Sequence, residues 1–297
     1  MTNQVTTLDS GNFAEMAKAM GITQDMGGDN KSKSSTLPRL RIWNQPVMGQ
    51  VDIKGKMKNM EVVPAGMFRL QLPDDKHVYA ESVNLRVFVQ RFMYKRYDSN
   101  NNMYIKTLMA EDLNGDLKDN TGGLNCGKPA GYIKDFQALP DDTKTLIKQI
   151  KRVRVILGEV QLVNAVDGEG NEVDTDVHPF IWEIDNRDAF KTLGEPFTQM
   201  AKQRRLPVQH WIDCGADERS IPTGAKFYVP TAGIDMSVAI DLTEEDQTKF
   251  SDFLEWINNY NDYIVSAWSE KRSEKMNAED ETLVEDFIDI EVGGEEQ

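Results

Sequence analysis

The sequence predicts a mostly β protein of the α+β class with one long helix near its C terminus. Between Leu37 and Leu113, short runs that alternate apolar and polar residues are separated by Pro and Gly. This pattern is typical of a barrel or sandwich of short strands. From Thr243 to about Arg272, apolar residues recur at intervals of three and four behind a Thr cap, which predicts an amphipathic helix.

The segment from Val83 to Tyr97 predicts one long strand. Successive side chains of a strand point to opposite faces, so one face is apolar: Val83, Leu85, Val87, Val89 and Met93. The opposite face mixes rings and cations: Arg86, Phe88, Gln90, Phe92, Tyr94 and Arg96. Such a face suits base stacking with phosphate neutralisation. The alternative is a strand buried on both faces, with its arginines extended to the rim.

The remaining segments divide the chain into an arm, a domain and a tail. Residues 1–36 predict a flexible arm, with a helix or a frayed terminus at 12–20 and a polar linker at 27–36. Residues 37–272 predict one domain, with a polar hairpin turn at 98–102 and a second basic strand within 148–163. A helix is expected as an insertion at 188–205, and the long helix is expected to end near Arg272.

The segment 111–140 breaks the strand pattern. It contains five glycines, and Lys128, Tyr132 and Lys134 add cations and a ring near its centre. Long irregular loops of compact domains are usually functional or disordered. This segment would either close over a strand of nucleic acid or form a lid on a small-molecule site. It is not a phosphate-binding P-loop, because Pro129 follows Lys128 where Ser or Thr is required.

The charge of −15 at neutral pH argues at first against a polyanionic partner, since affinity for nucleic acid comes mainly from Lys and Arg. The two signs are segregated along the chain, however. Residues 38–160 carry 20 basic and 14 acidic side chains, whereas residues 273–297 carry 1 and 10. The basic excess therefore lies in the part of the chain that contains the long strand.

The small number of cysteines and histidines argues against an enzyme or a metalloprotein. Two cysteines cannot form a disulfide framework, and the sequence shows neither a signal peptide nor a long apolar run, which indicates a soluble protein of a reducing cytoplasm. Nucleophile and metalloprotease motifs are missing from the sequence. A zinc site built from Cys126, His178, His210 and Cys214 stays an open alternative to buried thiols that only pack.

The acidic tail, 273–297, interleaves carboxylates with apolar residues. It is either a disordered end that keeps the protein soluble or a mimic of nucleic acid that occupies a basic groove. In the second case its apolar residues would dock on partner proteins, and the candidate docking residues are Asp286, Phe287, Ile288 and Asp289.

These features together resemble the single-stranded DNA-binding proteins of bacteriophages. The resemblance rests on the rings and arginines of the long strand, on the loop GGLNCGKPAGYIKD and on the tail ending DFIDIEVGGEEQ. It implies an elaborated barrel of the oligonucleotide-binding (OB) type. The candidate contacts are Arg86, Phe88, Phe92, Tyr94 and Arg96 on the long strand, Tyr104 beyond the hairpin turn, Lys128, Tyr132 and Lys134 on the loop, and Lys151, Arg152 and Arg154 on the second basic strand.

The expected function is sequence-independent binding of single-stranded DNA in phage replication or recombination, without a catalytic residue, cofactor or membrane partner. The tail would bind replication or recombination proteins, the chain would be able to form homo-oligomers, and a phage-encoded protein would act in the host cytoplasm. Two alternatives remain: a phage structural or assembly protein that does not bind nucleic acid, and a small-molecule enzyme that uses the 111–140 loop as a lid.

Overall fold

The structure, a computed structural model, describes residues 37–129 and 131–292, with side chains as far as residue 274. The predicted helix at 12–20 and the linker at 27–36 lie outside these residues. Within the described range the strands are β1 Arg39–Ile42, β2 Val47–Ile53, β3 Lys56–Val63, β4 Phe68–Gln71, β5 His77–Asp98, β6 Met103–Lys106, β7 Lys151–Val166, β8 His178–Ile184, β9 Ile212–Ser220 and β10 Lys226–Ile234.

Four α-helices accompany these strands in the described part of the chain: α1 Asp141–Gln149, α2 Arg187–Thr192, α3 Glu195–Lys202 and α4 Glu244–Val292. The pair α2 and α3 corresponds to the helix predicted at 188–205. The two helices are separated at Leu193 and Gly194, and Pro196 lies in the first turn of α3. Helix α1 was not predicted. The mostly β class and the long C-terminal helix are confirmed.

Eight of the strands form one mixed sheet in the order β10-β9-β5-β4-β1-β8-β7, with β6 paired to β5. β1 runs parallel to β8 and antiparallel to β4. β5 also pairs with β7, so the pairings run in a cycle through β5, β4, β1, β8 and β7. β2 and β3 form a separate two-stranded sheet. The OB-like barrel stays a prediction.

The described residues group into two compact units, and the single domain predicted for 37–272 stays a prediction. The first unit comprises 37–89 and 156–253, and the second comprises 90–155 and 254–292. β5, β7 and α4 each contribute residues to both units. Each unit has its own cluster of buried apolar side chains.

The core of the first unit lies on one face of its strands. Among its fully buried members are Phe68 and Leu70 of β4, Val83 and Leu85 of β5, and Phe180 of β8. Burial of side chains of this size is the main favourable term of folding, about 1.5–3 kcal/mol for each large apolar residue. The apolar face predicted for the long strand, Val83 to Met93, is confirmed, since all five of its residues are buried.

A glycine allows β5 and β7 to approach each other closely. A Cβ atom built on Gly158 of β7 would lie 2.1 Å from the carbonyl oxygen of Arg86 on β5. No real side chain tolerates that distance, so β7 requires glycine at this position for its pairing with β5.

The start of α4 is fixed by a reciprocal cap. The amide of Thr243 donates to Asp246 Oδ2 at 2.9 Å, and the amide of Asp246 donates to the Thr243 hydroxyl at 3.2 Å. This is the capping-box arrangement with Asp at the third helical position. The Asp246 carboxylate therefore satisfies the first turn of α4 and complements its dipole.

The same carboxylate binds Arg86 of β5. Arg86 Nη1 and Nη2 donate to the two Asp246 oxygens at 2.7 and 3.0 Å, and Arg86 Nε donates to the carbonyl of Val208 at 2.8 Å. Glu159 Oε2 lies 3.5 Å from Arg86 Nη1. Burial by itself would raise the pKa of Asp246, but hydrogen bonds from Arg86 and Thr243 hold it below its ordinary value.

Helix α4 extends well beyond its predicted end. The sequence predicts termination near Arg272, whereas the backbone remains helical to Val292. Most of the acidic segment, including Asp286, Phe287, Ile288 and Asp289, therefore belongs to α4, although its side chains lie outside the described ones. Among the described helices, none is both long and apolar enough to cross a membrane.

We expect Asp246→Ala to destabilise the protein by about 3–5 kcal/mol, because Arg86 would remain buried without its partner. Asp252→Ala, at an exposed position of the same helix, should change stability by no more than about 0.5 kcal/mol. Urea unfolding at neutral pH would compare the two variants. Equal stabilities would show that the ion pair does not hold the first unit together.

The same ion pair predicts an acid dependence. The pKa of Asp246 is lower in the folded than in the unfolded chain, so its contribution is complete above the unfolded value of about 3.9 and is lost as the pH falls below it. The Asp246→Ala variant should therefore lose less stability than the wild type between neutral pH and acid.

Candidate nucleic-acid interface

Most of the predicted contact residues lie in the second unit. Only Arg86 and Phe88 belong to the first unit, and the other ten belong to the second. Residues 90–155 carry twelve Lys and Arg against eight Asp and Glu. This segment therefore contains part of the basic excess predicted from the sequence, whereas residues 254–292 of the same unit carry three Lys and Arg against eleven Asp and Glu.

Arg86 and Phe88 do not form the predicted stacking surface. Arg86 is 7% exposed and its guanidinium is bound by Asp246. The ring of Phe88 is buried against Phe253 of α4, with ring centroids 5.5 Å apart. The alternative from the sequence, a strand buried on both faces, describes this part of β5. Helix α4 covers the face of β5 that carries Arg86 and Phe88.

Tyr94 is also buried, but cations surround it. Its hydroxyl donates to the carbonyl of Leu113, and its ring packs in a small core with Ile105, Leu117 and Cys126. Lys128 Nζ lies 5.5 Å from the centre of the Tyr94 ring. Burial raises the pKa of the Tyr94 hydroxyl, and the charge of Arg152 opposes that shift. Tyr94 therefore has a packing role, with cations next to it.

The structure brings together three of the predicted cations near Tyr94. Burial lowers the pKa of Lys128, and the charge of the exposed Arg152 lowers it further. Lys128 Nζ donates to the carbonyls of Pro129 and Gly131 at 3.0 and 3.1 Å. Arg96 Nε donates to the carbonyl of Cys126 at 3.2 Å. This cluster retains positive charge next to the loop that the sequence singled out.

The other predicted contacts are dispersed within the second unit. Arg154 is buried, donates to Gln90 Oε1 and lies over the ring of Phe92, 5.2 Å from its centre. Burial lowers the pKa of Arg154 to about 10. Lys151 and Lys134 are exposed, and Tyr132 is among the most exposed aromatic residues of the described chain.

The exposed aromatic side chains of the β5–β6 hairpin lie on the face of the odd-numbered residues of β5. The predicted contact residues of β5 were the even-numbered ones. Tyr97 pairs with Tyr104 and Lys95 pairs with Lys106 across the hairpin. Opposed residues share a face, so two tyrosines and two lysines lie together. The Tyr97 and Tyr104 rings are 47% and 53% exposed, with centroids 5.1 Å apart. Lys95 Nζ lies 5.4 Å from the Tyr104 ring.

Tyr104 is thus the one predicted aromatic contact that lies on this face, and Tyr97, Lys95 and Lys106 were missed. The signal that could have found them is the register of the hairpin. The turn at 98–102 fixes Tyr97 opposite Tyr104, which makes the odd residues of β5 the outer face there. Arg96 lies opposite Ile105, which is buried, so the even residues point inward at the same place.

The loop expected to act as a flap or lid is held in place by one carboxylate. Asp119 is 1% exposed and accepts from the amides of Thr121, Gly123 and Cys126 at 3.0–3.2 Å. Asn125 is equally buried, and its side chain accepts from the amide of Leu117 at 2.9 Å. Side-chain to backbone hydrogen bonds therefore hold the part of the loop between Leu117 and Cys126.

The thiols and histidines do not form a metal site. Burial, with a further contribution from Asp119, raises the pKa of Cys126 to about 12. Burial, together with Asp213, does the same for Cys214. His210 Nδ1 contacts the carbonyl of Val238 at 2.8 Å. Across the described residues, no group of three or more His, Cys, Asp or Glu side chains is placed to hold a metal ion.

Comparison with known proteins identifies no relative. Neither a protein-family model, nor a curated protein, nor a solved structure matches this chain. The case for function rests on the residues and their geometry.

We expect Phe88→Ala to destabilise the fold by about 3–5 kcal/mol, because it leaves a cavity beside Phe253. Tyr104→Ala removes an exposed ring and should change stability by about 0.5 kcal/mol or less. Thermal unfolding of the two variants measures both values. A stable Phe88→Ala protein would restore this ring as a candidate surface residue.

Proposed function

We propose that the chain binds single-stranded DNA without sequence preference, through the outer face of the β5–β6 hairpin. The observation that carries this proposal is the exposed pair of Tyr97 and Tyr104 next to the opposed pair of Lys95 and Lys106. Hereafter these four residues are called the tyrosine face. The tyrosine face lies within the second unit, where Lys and Arg outnumber Asp and Glu between residues 90 and 155.

The chemistry of the tyrosine face matches that of a single strand. An unpaired base exposes a flat π surface, and stacking on an aromatic side chain contributes about 1–3 kcal/mol per base whatever its identity. Lysines beside the rings neutralise the phosphates that flank each stacked base. A duplex offers no free base face, so the same surface should discriminate against it.

Several features of the second unit support the proposal without stacking bases themselves. The cations near Tyr94, namely Arg96, Lys128 and Arg152, add positive potential, and Lys134 and Lys151 add exposed charge. Tyr132 is a further exposed ring on the loop. A binding protein also needs no catalytic group or cofactor, and its role would be the protection of single strands during replication or recombination.

The proposal also gives a role to the acidic segment that contributes much of the net charge of −15. The acidic segment after residue 273 would compete with DNA for the basic residues and would recruit replication or recombination proteins through Asp286, Phe287, Ile288 and Asp289. Competition of this kind would speed the release of DNA, because an anion on the same chain replaces the strand as it leaves.

The tyrosine face can be tested by fluorescence anisotropy with a labelled oligothymidylate of about 20 nucleotides. Tyr97→Ala and Tyr104→Ala should each weaken binding by about 1–3 kcal/mol if each ring stacks one base. The matched control is Tyr263→Ala, which removes a ring that is 64% exposed on α4. A duplex of the same length should bind more weakly than the single strand.

Two results would contradict the proposal. If the wild type does not bind the single strand at low salt, the chain is not a DNA-binding protein of this kind, and the structural or assembly role gains support. If it binds but the tyrosine variants match the Tyr263→Ala control, the binding surface lies elsewhere on the chain.

Deletion of residues 279–297 should raise affinity for the oligothymidylate, because the segment carries nine carboxylates and no Lys or Arg. Screening over about 8 Å at physiological salt should abolish a long-range charge effect, whereas a docked segment would still compete. A synthetic peptide of this segment should therefore inhibit the truncated protein, and a scrambled peptide of equal charge should inhibit less. Unchanged affinity on truncation would refute competition.

A further inference from the structure

The first unit carries a cluster of arginines on the non-core face of β1, β4 and β5. Two rows of residues cross these strands: Arg41, Arg69 and Tyr79 form one, and Arg39, Gln71 and His77 form the other. Trp43 follows Arg41 by two positions and contacts both arginines of the first row. We call Arg39, Arg41, Trp43 and Arg69 the arginine cluster.

Arg69 occupies the centre of the arginine cluster and is 6% exposed. Its guanidinium carbon lies 3.7 Å from the centre of the Trp43 ring, and that of Arg41 lies 5.6 Å from the same centre. A guanidinium that stacks on an aromatic face keeps its N–H bonds directed sideways, where they can bind an oxyanion. In the described chain, Arg69 Nε is buried and makes no hydrogen bond.

No carboxylate of the described residues forms an ion pair with the arginine cluster. Among the described residues, the ion pairs include neither Arg39, Arg41 nor Arg69. Arg41 Nη2 donates to Gln71 Oε1 at 3.1 Å, and Gln71 in turn donates to Asp75. Burial lowers the pKa of Arg41, and Arg69 and Arg39 lower it further. Burial and the charges of Arg69 and Arg41 likewise lower the pKa of His77.

A buried, unpaired arginine is costly, because desolvation of a charge is repaid only by a partner of opposite sign. Arg86 in the same unit shows the usual solution, a bidentate carboxylate at 2.7 and 3.0 Å. Arg69 has a neighbouring arginine instead. An anion from outside the chain would supply the missing partner, and several guanidinium groups together suit the multiple oxygens of a phosphate.

We propose that the arginine cluster is a binding site for a phosphate group, separate from the tyrosine face. The phosphate would accept hydrogen bonds from Arg69 and Arg41, with Arg39 contributing charge from the adjacent row. Its source would be either a phosphodiester of a bound single strand, which rests on the proposed function, or free inorganic phosphate, which does not.

The experiment uses the full chain and three variants. Arg69→Met replaces the buried cation by an apolar side chain of similar length, Arg41→Gln removes an exposed cation with little risk to the fold, and Arg219→Gln is the matched control on β9. Arg219 is exposed and its nearest ion-pair partner, Asp217, lies 4.0 Å away. Thermal unfolding is recorded in inorganic phosphate and in sodium chloride of equal ionic strength.

Phosphate should raise the melting temperature of the wild type and of Arg219→Gln above the values in chloride, because a ligand that binds only the folded chain stabilises it. Arg69→Met and Arg41→Gln should lose most of that rise. Arg69→Met should also melt at or above the wild-type temperature in chloride, since an unpaired buried charge has been removed. A structural role alone would predict a lower melting temperature for this variant.

A second measurement distinguishes the two sources of phosphate. The plot of log affinity for oligothymidylate against log salt concentration has a slope set by the number of phosphate contacts. This slope should become less steep by about 0.7 for each removed arginine that contacts a phosphate of the DNA. A less steep slope for Arg41→Gln, but not for Arg219→Gln, would show that the arginine cluster binds a phosphodiester of the single-stranded DNA. An unchanged slope, together with loss of the melting-temperature rise in inorganic phosphate, would show that the arginine cluster binds free phosphate.

The proposal is overturned if phosphate does not stabilise the wild type beyond chloride and the slopes of the variants equal that of the wild type. If the wild type does not bind the oligothymidylate at all, the proposed function fails, and the melting temperatures in phosphate still decide whether the arginine cluster binds an anion.

Discussion

The contact between Arg86 and Asp246 connects two parts of the first unit that are far apart in sequence. It joins the middle of β5 to the first turn of α4, and each group would be costly to bury alone. Asp246 also caps α4 through Thr243, so one carboxylate satisfies a helix end and a buried cation. Lys249, one turn further along α4, reaches Glu159 of β7 at 2.6 Å and reinforces this position of the helix.

The sequence alone predicted the features that depend on the local spacing of apolar residues. Alternation over 83–93 identified the core face of β5, and intervals of three and four identified α4 from Thr243 onward. The fate of Arg86 and Phe88 depended on Asp246 and Phe253, which follow about 160 residues later. No local pattern specifies that a helix so distant in sequence covers one face of a strand. The candidate contacts were therefore least accurate where long-range packing decides exposure.

Hairpin register accounts for the remaining difference at the candidate site. Tyr94 and Arg96 were selected for their parity with Arg86, but the opposition of Arg96 to Ile105 turns the even residues inward. Tyr97 and Tyr104, which lie opposite each other, are then the exposed pair. Similarly, the pattern of the 111–140 segment did not predict that buried Asp119 and Asn125 give the loop its own hydrogen-bond framework. Side-chain to backbone contacts of this kind have only a weak sequence signal.

Arg86 and Arg69 show two ways in which the first unit treats a buried guanidinium. One is bound by Asp246, and the other is stacked on Trp43 beside a second cation. A protein optimised for stability alone would be expected to pair or replace the second arginine, because unpaired buried charge lowers the free energy of unfolding. Its retention in this chain is the reason to ask what binds there.

The loop around Asp119 has a consequence for local dynamics in the second unit. Three amides, those of Thr121, Gly123 and Cys126, donate to the same carboxylate. Because all three amides depend on the same side chain, loss of the Asp119 contact releases all three together. Hydrogen exchange in this segment should then be a single cooperative opening, with one free energy shared by amides that are five positions apart in the chain.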